Sequence, residues 1–283
     1  MNLAIVTDST CDLSAEQLKA LNVQRVHLYV NFKGAMHKDW LDITPKDIIA
    51  GVQAGADLPS TSQPSPEDFA VAYKAAIEAG AEQILVITIS SAISGTFQSA
   101  NIAAKDAAVP VTVFDSKQAS IGIGALVKIA AGMRDESAAL EDIINTLERT
   151  RDTMRVLFAV DTLDFLLKGG RVSKASALIG GMLNIKPILT LNDGRIEPAA
   201  KARGTKKAIA EIVTRFKAHA AANPGPLVID FVHAEDPAAA ETLKRALHDA
   251  GIQYEGGTPY AIGSVIAAHV GPGTFGAYGY VRP

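Results

Sequence analysis

Cysteine is almost missing from this 283-residue sequence: Cys11 stands alone, so no disulfide can close within the chain. Nor is there a run of roughly 18 uninterrupted apolar residues, the length a membrane-spanning helix needs, and stable membrane insertion is not expected. Basic charge is neither abundant nor clustered. Lysine and arginine number 27 against 30 acidic residues, for a net charge of −3, which offers no electrostatic footprint for nucleic acid. Only Met1 and Asn2 precede the strand-like run Leu3–Thr7, with no basic or apolar leader. Together with the single cysteine, this points to a reducing, cytoplasmic compartment. No internal repeat or low-complexity segment occurs, and a monomer is expected.

Familiar catalytic signatures are missing too. The sequence has no G-x-x-x-x-G-K-[ST] phosphate loop, no G-x-S-x-G elbow, and no C-x-x-C, H-E-x-x-H or EF-hand spacing. Neither a metal nor a cofactor is therefore expected. Gly271-Pro272-Gly273-Thr274-Phe275-Gly276 matches G-x-G-x-x-G to the letter. A dinucleotide fingerprint also needs a following helix and an acid about 20 residues on, and the sequence reaches Pro283 first.

What is present is apolar: 48% of residues, against 20% charged. The surplus must enter a core, an interface or a ligand cavity. The length suits two domains. In the first half, Leu3–Thr7, Val23–Val30, Ile84–Ile89 and Val111–Phe114 read as strands alternating with helices, the rhythm of a mainly parallel sheet. Ile84 to Ile87 are apolar at every position, as in a strand buried on both faces. Ser65-Pro66-Glu67 and Thr44-Pro45 are helix starts, and Gly80 is a stop. Two helices are expected between residues 120 and 150, with a break between Gly132 and Ser137. The second, Ala138 to Thr150, is highly charged and expected to face solvent. The boundary falls after it, dividing an α/β domain (1–150) from an α+β domain with a mixed sheet (151–283). In the second, Val156–Val160 and Leu227–Val232 read as strands. Leu163–Leu167, Thr205–Ala221 and Pro237–Ala250 read as helices. Asn192-Asp193-Gly194-Arg195 reads as a hairpin turn, and a glycine-rich tail closes the sequence.

Ligands of open α/β sheets bind beyond the carboxyl ends of the strands. Four hydroxyl-rich segments are expected at that edge: Asp8-Ser9-Thr10, Ser60 to Ser65, Ser90 to Thr96, and Asp115-Ser116. Ser94-Gly95-Thr96 opens a helix running to about Ala107, whose free N–H groups favour an anion, while Gly95 allows close approach to the backbone. Ser94 or Ser91 serving only as an N-cap fits the same pattern. His269, between an apolar helix and a glycine-rich turn, fits either an anion ligand or general base, or a buried structural histidine. Cys11 reads more readily as a small core filler than as a nucleophile. Asp8 and Asp115 could pair as an acid–base dyad, or each could hold its own turn; the alternative function is a small phosphotransferase or hydrolase using Asp8, Asp115 or His269.

The chain resembles the DegV family over its full length. The resemblance rests on Thr7-Asp8-Ser9-Thr10, Asp39-Trp40-Leu41-Asp42-Ile43-Thr44, Thr61-Ser62-Gln63-Pro64-Ser65, Ser94 to Ala100 and Phe114-Asp115-Ser116. Leu167-Lys168-Gly169-Gly170-Arg171, Ile185 to Leu189 and His269 to Gly273 complete it. Phe97 and His37 depart from residues common in the family. Studied members are the fatty-acid-binding subunits of the bacterial fatty acid kinase. The resemblance thus implies a non-catalytic protein that holds a long-chain fatty acid by its carboxylate, through Thr61, Ser94, Gly95 and His269. Phe165, Leu166, Ile179, Leu183, Ile188 and Ile266 are the expected lining of the acyl chain, which would run into the second domain so that the ligand lies between the two. A separate ATP-dependent kinase would phosphorylate the carboxylate, met by Arg171 and Arg203. A lipid-sensing regulator would need the same pocket.

Overall fold

The computed structural model describes residues 2–172 and 184–283. In chain order its elements are β1 (Leu3–Asp8), α1 (Ala15–Ala20), β2 (Val23–Val26), β3 (Tyr29–Phe32), β4 (Ala35–Lys38), α2 (Pro45–Gln53), β5 (Ser60–Ser62), α3 (Pro66–Glu78), β6 (Gln83–Thr88), α4 (Thr96–Ala104) and β7 (Val111–Asp115). They continue with α5 (Ile121–Asp135), α6 (Leu140–Thr153), β8 (Arg155–Ala159), α7 (Asp164–Gly169), β9 (Ile185–Asn192), β10 (Arg195–Arg203), α8 (Gly204–Ala222), β11 (Leu227–His233), α9 (Pro237–Asp249), β12 (Glu255–Ala261), α10 (Ser264–Val270) and β13 (Phe275–Val281). Among the described residues no helix is long and apolar enough to cross a membrane.

The N-terminal sheet is parallel throughout, in the order β2-β1-β6-β7. Its central strand shows why an all-apolar sequence was needed there. Ile84 and Val86 pack with Phe69 and Tyr73 of α3 and Ala100 of α4. Leu85 and Ile87, pointing the other way, pack with Ile123 and Leu126 of α5 and Ile143 and Leu147 of α6. Thr44 and Ser65 cap α2 and α3, each with a proline in the first turn and an aspartate closing a reciprocal capping box.

The expected strand Val23–Val30 divides in two. After β2 the chain leaves the parallel sheet, and β3 pairs antiparallel with both β4 and β5 in a separate three-stranded sheet. Lys33 and Gly34, both at positive φ, make the two-residue turn between β3 and β4. Helix α6 also corrects an expectation. It buries Ile143, Thr146, Leu147 and Thr150, so its charge occupies only the outer face, and it runs on past residue 150 to Thr153.

The C-terminal sheet is mixed, in the order β10-β9-β8-β13-β11-β12, with β11 and β12 its one parallel pair among the described residues. Asp193 and Gly194, at φ 44° and 76°, form the hairpin between β9 and β10. The glycine-rich tail holds the main surprise: β13 is a central strand, between β8 and β11. Its glycines answer to packing. A Cβ on Gly276 would lie 2.6 Å from Phe158 Cβ, and one on Gly279 would lie 2.7 Å from the Phe216 ring.

Helix α10 joins the two parts. It belongs to the C-terminal half, yet Val265 and Ala268 pack with Leu28, Val30 and Phe32 of the N-terminal half. Buried carboxylates hold its start. Asp39 Oδ1 accepts the N–H groups of Ser264 (2.8 Å) and Val265 (3.2 Å), while its Oδ2 accepts the Ser9 hydroxyl at 2.8 Å. Asp12 accepts the Gly263 N–H at 2.8 Å and the Ser120 hydroxyl. Burial pushes the Asp39 carboxyl up to about 6, against the pull of these hydrogen bonds.

Candidate functional site

Where the N-terminal loops, α10 and the inner face of the C-terminal sheet meet, they enclose a cavity of about 340 Å³. Its walls are mostly apolar. Leu28, Ile89 and Ile93 come from the N-terminal half, while Phe158, Leu191 and Val232 come from the C-terminal sheet. Ile262, Val265, Ile266 and Val270 line it from α10 and the residues around it. The cavity is therefore shared between the two halves.

Polar groups gather in one region of the wall. Thr61 is placed by β5, whose pairing with β3 sets Thr61 opposite Val30. Its Oγ1 lies 2.8 Å from Nε2 of His269, in the last turn of α10. Burial, and then the nearby Arg171 guanidinium, hold the His269 imidazole down at about 4, so it is neutral at physiological pH. Its Nδ1 is buried without a hydrogen-bond partner among the described residues and faces Gly169, where an added Cβ would lie 2.3 Å away. An Nδ1 without a proton is the cheaper orphan, because a buried N–H left unpaired forfeits a donor bond. That tautomer makes Nε2–H the donor to Thr61 and frees the Thr61 hydroxyl proton for a ligand.

Ser94 also lines the cavity. Its hydroxyl lies 2.8 Å from Thr96 Oγ1 and accepts the Thr96 N–H at 3.3 Å. It thus takes part in the local start of α4 while still reaching the cavity. Gly95 is the N-cap of α4 and is not itself a wall residue. A Cβ there would lie 2.0 Å from Gln63 Oε1, so Gly95 makes room for Gln63, which does line the cavity and donates to Ser99 Oγ at 3.1 Å. Arg171 completes the polar region. Its Nε donates to the Ile93 carbonyl at 3.3 Å and its Nη1 to the Gly169 carbonyl, with the residue exposed at the rim. A neutral imidazole, several hydroxyls and one guanidinium suit a carboxylate, which they can both hydrogen-bond and neutralise.

The structure thus brings Thr61, Ser94, His269 and Arg171 together, with Ile266 on the adjoining apolar wall. Other expected residues fall elsewhere. Phe165 and Leu166 are buried but do not line the cavity; the Phe165 ring is close-packed against Gly271. Ile188 faces the opposite side of the C-terminal sheet, in a core with Leu157 and Phe216, because strand alternation sends it away from the cavity. Ile179 and Leu183 lie outside the described residues. Arg203 ends β10 at the exposed surface and does not line the cavity.

Only part of the hydroxyl-rich sheet edge reaches the cavity. Asp8, Ser9 and Thr10 are wholly buried beside it; Asp8 accepts the Thr10 and Ile89 N–H groups at 2.9 and 2.7 Å. Asp115 binds Ser91 and the Lys117 N–H. The two aspartates end β1 and β7, with β6 between them. That separation is two strand spacings, roughly 9.5 Å, too far for a shared proton, and each holds its own turn. Cys11 is fully buried and its thiol is pushed by burial up to about 12, a filler rather than a nucleophile. Sequence reading missed Gln63, Ser120, Phe158, Val232 and Tyr278 as wall residues. Phe158 and Val232 carried a usable signal, as apolar positions on strands already expected.

Comparison with known proteins adds to this geometry. A family model described as an uncharacterised protein of the DegV family matches residues 2–281. A DegV domain-containing protein of Deinococcus radiodurans is 41% identical over 278 residues, spanning 98% of this chain and 97% of its own length. Among solved structures, a DegV family protein from Thermus thermophilus, described for its fatty acid binding, matches with a TM-score of 0.95 and 43% identity, over 99% of this chain and 100% of that one. DegV of Bacillus subtilis, described as a fatty acid binding protein, matches with a TM-score of 0.86 and 30% identity over the whole of both chains.

Proposed function

The chain belongs to the DegV family, and on that premise we propose that it binds a long-chain fatty acid, with the carboxylate at Thr61 and Ser94 and the acyl chain in the shared cavity. The observation that carries this reading is the arrangement of the cavity itself. An apolar volume of about 340 Å³ meets a cluster of hydrogen-bond donors and one guanidinium in a single region of its wall. The relatives from Thermus thermophilus and Bacillus subtilis, described as binding fatty acids, support the same ligand class.

Head and tail contribute differently. A hydrogen bond to a charged carboxylate is worth roughly 1.5–3 kcal/mol, so the few available here orient the head. Each buried methylene adds roughly 0.8 kcal/mol, and a long chain can reach the order of 10 kcal/mol before the costs of association. Affinity therefore comes from the tail and register from the head. The domain division at about residue 150 fits this role, with head-binding loops from the first part and most of the C-terminal sheet's inner face given to the tail.

The proposal extends to a non-catalytic role. The protein presents its ligand's carboxylate to a separate ATP-dependent kinase, which forms the acyl phosphate. Arg171, exposed at the rim beside the head group, suits the contact with that kinase, and Arg203 offers a second exposed cation. Native mass spectrometry of the purified protein tests the binding step: a co-purifying mass in the long-chain fatty acid range is expected. Protein that is free of lipid and does not take up added stearate sinks the proposal. Acyl-phosphate formation on mixing with a fatty acid kinase and ATP tests the second step, with Ser94→Ala and Thr61→Ala lowering turnover more than binding.

A further inference from the structure

Among the described residues, six that line the cavity carry hydroxyls, and five of those hydroxyls have partners. Thr61 meets His269, Ser62 accepts from Asn31, and Ser94 meets Thr96. Ser120 donates to Asp12, and Thr274 donates to the Val270 carbonyl at 2.9 Å. Tyr278 is the sixth. Its residue is only 6% exposed, it lines the cavity, and its hydroxyl has no hydrogen-bond partner among the described residues. Burial pushes the phenol well above its ordinary range, so it remains a neutral donor.

The position of Tyr278 is as informative as its chemistry. Thr274, at the entry to β13, is bonded to Val270, the neighbour of His269. Tyr278 lies four residues further along an extended strand, roughly 13 Å from that point. It sits in the central strand of the sheet, paired with Val156 on one side and Asp230 on the other, and its ring packs closely on Gly122 of α5. Tyr278 is therefore fixed on the sheet wall of the cavity, away from the strand end that meets Val270, with the Asp12 carboxyl the charged group nearest to influence its phenol. A plain hydrocarbon chain filling this space would leave a buried donor unpaired, which costs more than an absent one.

We infer that the cavity takes a fatty acid bearing a hydroxyl group partway along its chain, with Tyr278 as the residue that receives it. This inference rests on the fatty-acid reading above and sharpens it to a substrate class. The chain oxygen accepts from the Tyr278 hydroxyl, while the carboxylate stays at Thr61 and Ser94. Selectivity follows from the unpaired donor: an acyl chain with an oxygen at the right carbon satisfies it, and an isomer with its hydroxyl elsewhere buries a second unpaired group.

Direct binding of stearate and a series of hydroxystearate positional isomers to the full-length protein, wild type and Tyr278→Phe, tests this. One mid-chain isomer is expected to bind wild type roughly five- to tenfold more tightly than stearate. Tyr278→Phe, which keeps the ring against Gly122, should lose that preference while holding stearate as well or better. Stearate binding with no isomer preferred, or a preference that survives Tyr278→Phe, overturns the inference and leaves the fatty-acid reading standing. Failure of every acid to bind overturns both.

Discussion

Thr61 and His269 are 208 residues apart in sequence, yet their side chains meet at 2.8 Å across the seam between the two halves of the molecule. One stands on a three-residue strand of the N-terminal half and the other in the last turn of α10. The contact can form only when α10 is seated against β3 and β5. The proposed head-group site therefore spans the seam, and its Thr61–His269 hydrogen bond also ties the two halves together.

Thr61→Val keeps the side-chain shape and removes the hydroxyl. A charge-assisted bond to the ligand carboxylate is lost, and fatty acid affinity should fall roughly tenfold, read by calorimetry or by displacement of a fluorescent fatty acid. Thermal stability of the ligand-free protein should fall as well, by roughly 1–3 kcal/mol, because the buried His269 Nε2–H loses its acceptor. An unchanged affinity would place the carboxylate elsewhere.

Gly169→Ala acts on the same pair from behind. The new Cβ would lie 2.3 Å from His269 Nδ1, and the ring can yield only by turning away from Thr61. Binding should weaken by an amount similar to Thr61→Val, and the double variant should be little worse than either single one, because both act on one contact. Additive losses would show that Gly169 has a separate role.

Stability against pH should carry two opposed signatures. His269 is held near 4 in the folded protein, below its ordinary 6.5. Between those values the unfolded chain binds a proton that the folded one refuses, so the stability from this group is complete above 6.5 and is lost as pH falls towards 4. Asp39 is raised from 3.8 to about 6. Its contribution is full below 3.8 and is lost as pH rises through the folded value. Chemical denaturation across this window should show Asp39→Asn gaining stability with rising pH more steeply than wild type. His269→Gln should show the reverse tilt. Parallel curves for all three proteins would mean that neither group titrates as assigned.

Most of this architecture could be read from local signals. The all-apolar Ile84–Ile87 and the capped starts at Thr44 and Ser65 each satisfy their surroundings through short-range chemistry, so residue type alone located them. Strand β13 could not be read this way. Its glycines lower strand propensity, and what requires them are Phe158 on β8 and Phe216 on α8, distant in sequence. The cavity walls divide likewise. Thr61, Ser94 and His269 stood out because hydroxyls and an imidazole beside glycine are unusual in type. Ile188 and Val232 look alike in sequence, and only strand register decides that one faces the opposite core and the other the cavity.

Arg171→Ala should separate binding from presentation. Its guanidinium is anchored to the backbone carbonyls of Ile93 and Gly169 and remains exposed at the rim. An exposed cation near a ligand carboxylate is worth only about 0–1 kcal/mol, so Arg171→Ala should weaken fatty acid binding by no more than roughly fivefold. An arginine at the centre of a protein contact is worth more, typically above about 2 kcal/mol. Acyl-phosphate formation with a fatty acid kinase should therefore fall well over tenfold at saturating fatty acid, through a raised apparent KM for the loaded protein. Arg203→Ala, on an exposed strand end away from the cavity, should leave fatty acid binding untouched and impair kinase turnover less. If Arg171→Ala lowers binding and turnover in equal measure, the residue belongs to the head-group site alone, and the kinase must approach from another face.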